Sequence, residues 1–109
     1  MVYSERLANR VERALAGRPT VKAKKMFGGM GYFHRGHLLV AVWREALVAR
    51  IGPDAYEAAL REPYVAAFDV TGKPMKGWVL VAPEAIDTDN QLASWIDRAW
   101  RYVQELPEK

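Results

Sequence analysis

Few residues in this chain have the chemistry of a reactive site. His34 and His37 are the only histidines, and they flank Arg35-Gly36. A tight turn there sets their side chains on neighbouring strands, within reach of one metal ion. Two ligands are too few for a zinc site, and no Asp or Glu stands beside them, so they read better as solvent-exposed turn residues. Met26-Phe27-Gly28-Gly29-Met30-Gly31 is dense in glycine. A phosphate loop needs a following helix whose amides face the anion, and here a strand pattern follows instead. The glycines then serve close packing, a bulge or a sharp bend. Asp69 with Lys73 and Lys76 is the nearest approach to an acid–base set, but nothing in the spacing makes them converge. Arg50 ends an apolar strand and is expected to be partly buried against a carboxylate. No cysteine is present, which excludes disulfides, thiolate nucleophiles and Cys-ligated zinc. No residue is assigned a catalytic, cofactor-binding or metal-ligating role, and the chain is read as non-enzymatic.

The most unusual segment is Thr71-Gly72-Lys73-Pro74-Met75-Lys76-Gly77-Trp78. It sets two lysines beside a methionine and a tryptophan between turn-forming residues. Either it offers cations and adaptable apolar contacts to a partner, or it is a long hairpin loop whose Met75 and Trp78 plug the core.

Elements to position these residues follow from periodicity. A helix is expected over 4–16, capped by Ser4, with Leu7, Val11, Ala14 and Leu15 on one side and Gly17 at its end. Residues 22–51 read as three antiparallel strands. The first runs from Lys24 through the glycines to Phe33, the second is Leu38 to Trp43, and the third is Ala46 to Ile51. In the second strand Leu38, Val40 and Val42 alternate with Leu39, Ala41 and Trp43, so both faces are apolar. The face bearing Leu39, Ala41 and Trp43 is the candidate dimer surface. Gly52-Pro53-Asp54 opens a second helix that Glu62-Pro63 ends. Strands at Tyr64 to Val70 and Trp78 to Val81 follow. A last helix from Asp87-Thr88-Asp89 to about Leu106 carries Leu92, Trp95, Ile96, Ala99, Val103 and Leu106 as its stripe. Trp95 fits the core, whereas Trp43 and Trp100 have no clear place inside.

The order α-β-β-β-α-β-β-α lacks βαβ alternation. It implies a two-layer α+β fold, with a mostly antiparallel five-stranded sheet and helices on one face. At 109 residues the chain is one domain. Its longest apolar run, Leu38 to Trp43, is far below the ~20 residues of a membrane helix. The N-terminus carries charge where a signal peptide needs an apolar block, so a cytoplasmic protein without membrane contact is expected. Charge is uneven along the chain: residues 1–25 hold seven basic residues against Glu5 and Glu12, while residues 82–109 hold six acidic residues against three basic. A basic front with Arg10, Arg13, Lys22, Lys24 and Lys25 can steer a polyanion, although opposite charges lacing a solvated helix face give the same pattern.

Lys25-Met26-Phe27-Gly28-Gly29, Arg50-Ile51-Gly52-Pro53 and Thr71-Gly72-Lys73-Pro74-Met75-Lys76-Gly77-Trp78 occur in that order, and together they resemble the TfoX/Sxy N-terminal domain family over about residues 3 to 106. The resemblance implies a two-layer α+β fold. Full-length members are bacterial regulators of natural competence that act as coactivators with the cyclic-AMP receptor protein and carry a further helical C-terminal domain; this chain is read as a single-domain member without one. The matching positions Met26, Phe27, Gly28, Gly29, Arg50, Gly52, Gly72, Pro74, Met75, Gly77 and Trp78 come with no catalytic role. With Lys73 and Lys76 they are the candidate partner contacts. The expected function is a regulatory domain acting through protein contacts, as a homodimer or with another protein. Nucleic-acid binding through the basic front and a small-ligand pocket between the 71–78 loop and the glycine-rich strand are the alternatives.

Overall fold

A computed structural model describes residues 3–26, 28–69, 72 and 75–107. Helix α1 (Glu5–Ala14) leads into strands β1 (Val21–Met26), β2 (Gly29–His34), β3 (His37–Trp43) and β4 (Ala46–Arg50). Helix α2 (Pro53–Leu60), the strands β5 (Val65–Ala67) and β6 (Trp78–Val81), and helix α3 (Asp89–Val103) complete the order. The sheet runs β1-β2-β3-β4-β6-β5, and its strand pairs are antiparallel.

Local chemistry accounts for the helix ends. The Leu7 amide donates to Ser4 Oγ at 3.1 Å, Pro53 opens α2 where its missing N–H costs nothing, and Thr88 and Gln91 form a reciprocal capping box at α3. All three helices pack on one face of the sheet. Leu7 and Val11 of α1, Tyr56 and Ala59 of α2, and Leu92, Trp95, Ile96, Ala99 and Val103 of α3 share a core with Val40, Val42, Leu47, Ala49, Val79 and Val81.

Three differences from the expected layout matter. The sheet has six strands rather than five, because the glycine-rich stretch turns the chain back instead of bending one strand. Gly28 has φ 75°, and Met26 pairs directly with Gly29 across the resulting hairpin. The second difference lies in β3. Tyr32 pairs with Val40 but Phe33 pairs with Leu38, so Leu39 is an extra residue, a bulge that breaks the alternation. Leu39 and Val40 both enter the helix-side core, while Leu38 passes to the opposite face with Ala41. Leu39 is therefore no part of the outer surface assigned to it; it is fully buried beneath the helices. The expected strand at Tyr64 to Val70 is also shorter, since pairing covers only Val65–Ala67 and Phe68 turns inward over the outer face; Val70 lies outside the described residues.

Candidate protein-contact face

The side of the sheet away from the helices is not bare. Leu38, Ala41, Val48 and Phe68 form a second buried cluster, and Met26, Phe33, Trp43, Met75, Trp78 and Leu80 pack around it half-buried. Phe68 is its keystone at 1% exposure. Its ring stacks on Trp78 with centroids 6.5 Å apart and meets the edge of Trp43 at 6.1 Å. The segment between β5 and β6 is closed at its base: the Met75 amide donates to the Phe68 carbonyl at 3.2 Å, and the Trp78 amide to the Met75 carbonyl at 3.0 Å. Met26, Phe33 and Leu38 crowd the Cα of Gly31, where a Cβ would lie 2.5 Å from Met26 Sδ. Glycine in β2 thus lets this sulfur settle onto the sheet. Where the alternative reading places a ligand cavity beside the 71–78 loop, the described residues Met75 and Trp78 pack with Met26 and Phe33 on the same cluster.

Two of the motif segments meet at one end of this face. Arg50 and Trp78 are direct partners across β4 and β6. The Ile51 and Gly52 amides both donate to the Gly77 carbonyl, at 2.9 and 3.1 Å. The backbones come so close that a Cβ on Gly77 would sit 3.1 Å from the Gly52 carbonyl carbon, and one on Gly52 would strike the Tyr102 ring. Positive φ values of 90° and 93° at these glycines allow the approach. The Arg50 guanidinium lies 5.3 Å from the Trp78 ring centroid and 5.7 Å from that of Tyr102. Its Nη1 is 3.4 Å from His37 Nδ1. The carboxylate expected beside Arg50 is not there; aromatic faces hold this cation instead, and among the described residues no ion pair reaches it.

The three ion pairs among the described residues gather on the helix side of the sheet. The ion pairs Arg10–Asp89, Arg18–Asp97 and Arg98–Glu62 involve α1, α3 or the segments flanking the helices. The outer face differs. Lys22 and Lys24 stand opposite Phe33 and Gly31 in the ladder, so they share the outer side with them. The Arg44 guanidinium lies 4.7 Å over the Trp43 ring, and Lys76 is exposed in the covering segment. Among the described residues no carboxylate pairs with Lys22, Lys24, Arg44, Arg50 or Lys76. Cations thus frame an apolar centre. The basic front is split by the same geometry: Arg10 is tied to Asp89 on the helix side, while Lys25 lies opposite Met30, which packs on the helix-side core.

The remaining candidates fall as follows. Met26, Met75, Trp78, Ala41 and Trp43 gather on the outer face, with Arg50 and Gly77 at its end. Gly28 and Gly29 form the hairpin that brings Met26 there, and Gly72 is exposed with φ 86°. Phe27, Lys73 and Pro74 lie outside the described residues. His34 is not a solvent-exposed turn residue: it is buried on the helix side, 4.6 Å from the Trp100 ring centroid, with Nδ1 2.8 Å from Thr20 Oγ1. Burial, then the nearby Arg35 and His37 charges, hold its pKa below the usual range. Trp100 is half-buried there beneath Arg18, whose guanidinium lies 4.9 Å from its ring. Sequence reasoning missed Phe68, Phe33, Leu38 and Arg44 as parts of the face. The pair Trp43-Arg44 at a turn was the available signal for the last.

A family model for the TfoX N-terminal domain matches residues 13–103. No curated protein matches the chain.

Proposed function

This chain belongs to the TfoX N-terminal domain family, and we propose that it is a small regulatory domain that works by binding another protein rather than by catalysis. The observation that carries this reading is the outer face, where Met26, Phe33, Trp43, Met75, Trp78 and Leu80 are only partly buried around a buried centre. Methionine and aromatic side chains give a partner large, adaptable contacts, and clusters of them at a surface mark interaction sites. The resemblance to regulators of competence supplies the setting: a domain that passes on a signal by contact needs such a face and no reactive centre.

Nucleic-acid binding is the weaker reading. Bases stack on open aromatic faces, but Trp78 already carries Phe68 and Arg50, and Trp43 carries Arg44. A pull-down from the source cell tests the proposal, using the wild type, a Trp43→Lys variant and an Arg101→Glu variant on the helix side. Proteins recovered by the wild type and by Arg101→Glu but lost with Trp43→Lys support it. Identical recovery by all three baits overturns it.

A further inference from the structure

We propose that the partner of the outer face is an acidic polypeptide segment with apolar anchors, its carboxylates set against Lys22, Lys24, Arg44, Arg50 and Lys76 and its anchors against Met26, Met75 and Leu80. The inference rests on the contact reading above and adds the chemistry of the partner. Its basis is the set of cations that surrounds the outer cluster. On the helix side Arg10, Arg18 and Arg98 are matched to Asp89, Asp97 and Glu62, while Arg6, Arg13 and Arg101 are not paired among the described residues and border no methionine and aromatic cluster. On the outer side the cations are left without carboxylates among the described residues, and they border the partly buried methionine and aromatic cluster of that face. Unmatched charge around an apolar centre is the layout of an interface core with a polar rim. Its sign selects the partner's charge and speeds encounter.

The same charges disfavour a second copy of this chain. In a twofold interface the patch meets itself, so these cations would confront their own images across a desolvated surface. A phosphate chain matches the rim but not the centre, since it offers nothing to Met26, Met75 or Leu80 and finds the tryptophan rings already covered. An acidic segment carrying leucine or aromatic anchors satisfies both parts.

The test uses the full chain and dye-labelled synthetic peptides, read by fluorescence anisotropy. One peptide alternates Glu with Leu and Trp, a second has Gln in place of every Glu, and a third is polyglutamate; oligo(dT) is the competitor. The first peptide is expected to bind about tenfold or more tighter than the second, and to weaken as salt rises. A Lys22→Gln, Lys24→Gln, Arg44→Gln variant, checked for fold by circular dichroism, is expected to lose that advantage. An Arg6→Gln, Arg13→Gln variant is expected to keep it. Equal binding of the Glu and Gln peptides overturns the acidic assignment while leaving protein contact through this face intact. Polyglutamate binding as well as the anchored peptide, displacement by oligo(dT), self-association through the outer face, or no peptide binding at all each overturns the inference as well. The contact reading then stands or falls on the pull-down.

Discussion

Replacing Phe68 by alanine probes whether the outer face is a true second core. The ring is 1% exposed, stacks on Trp78 and meets Trp43, and sits on Leu38, Ala41 and Val48. Truncating a buried phenylalanine removes its transfer free energy and leaves a cavity, together about 3–5 kcal/mol. Part of that reflects aromatic pairing, worth about 0.5–1.5 kcal/mol per contact beyond area. Against a total stability of about 5–15 kcal/mol, the loss is large enough to move the unfolding midpoint well down. Urea denaturation followed by far-ultraviolet circular dichroism measures it without relying on Trp43 or Trp78 fluorescence, which the substitution itself alters. Phe68→Leu, which keeps most of the volume, is expected to retain most of the stability. A cost below about 1 kcal/mol for Phe68→Ala, the range of surface substitutions, would mean that the segment before β6 merely drapes over the sheet, and the account of this face would be wrong.

Other outcomes follow from the same packing. Gly29→Ala drives a Cβ into the Val42 carbonyl oxygen, and Gly52→Ala drives one into Tyr102; each is expected to cost at least about 1–3 kcal/mol by thermal or urea unfolding. Gly17→Ala meets nothing within 4 Å and is expected to be neutral or to stabilise by about 0.4–1 kcal/mol. Because the folded pKa of His34 lies below its unfolded value, the unfolded state binds the proton first as pH drops. The stability contributed by neutral His34 is complete above pH ~6.5 and is lost as pH falls from there through the folded pKa. Urea midpoints measured on both sides of pH ~6.5 are expected to fall toward acid, with a shallower slope in a His34→Gln variant.

Much of the architecture was legible because helix signals are local. Ser4, Pro53 and Thr88 each mark an end that the structure keeps. The sheet was harder because its errors are non-local. In Leu38-Leu39-Val40 every residue is apolar, so alternation carries no trace of the bulge that sends Leu38 one way and Leu39 the other. The run from Lys24 to Phe33 hid a hairpin for a related reason: glycine permits a bulge, a bend or a turn, and only pairing with β3 selects among them. Met75 and Trp78 were legible as plugs of a core, but which core they plug depends on Phe68. Its place in a supposed strand gave no hint that it folds over the outer face. The placement of Lys22 and Lys24 beside the outer cluster depends on the same register and is invisible in a count of basic and acidic residues.

The methionines provide the most direct test of the central claim. Met26 and Met75 lie on the outer cluster, while Met30 packs on the helix-side core, so their ε-methyl resonances report the two faces separately. Titration with the Glu, Leu and Trp peptide is expected to shift and broaden the Met26 and Met75 signals and leave Met30 nearly unmoved. Perturbation of Met30 with Met26 and Met75 unchanged would place binding on the helix side and contradict the account.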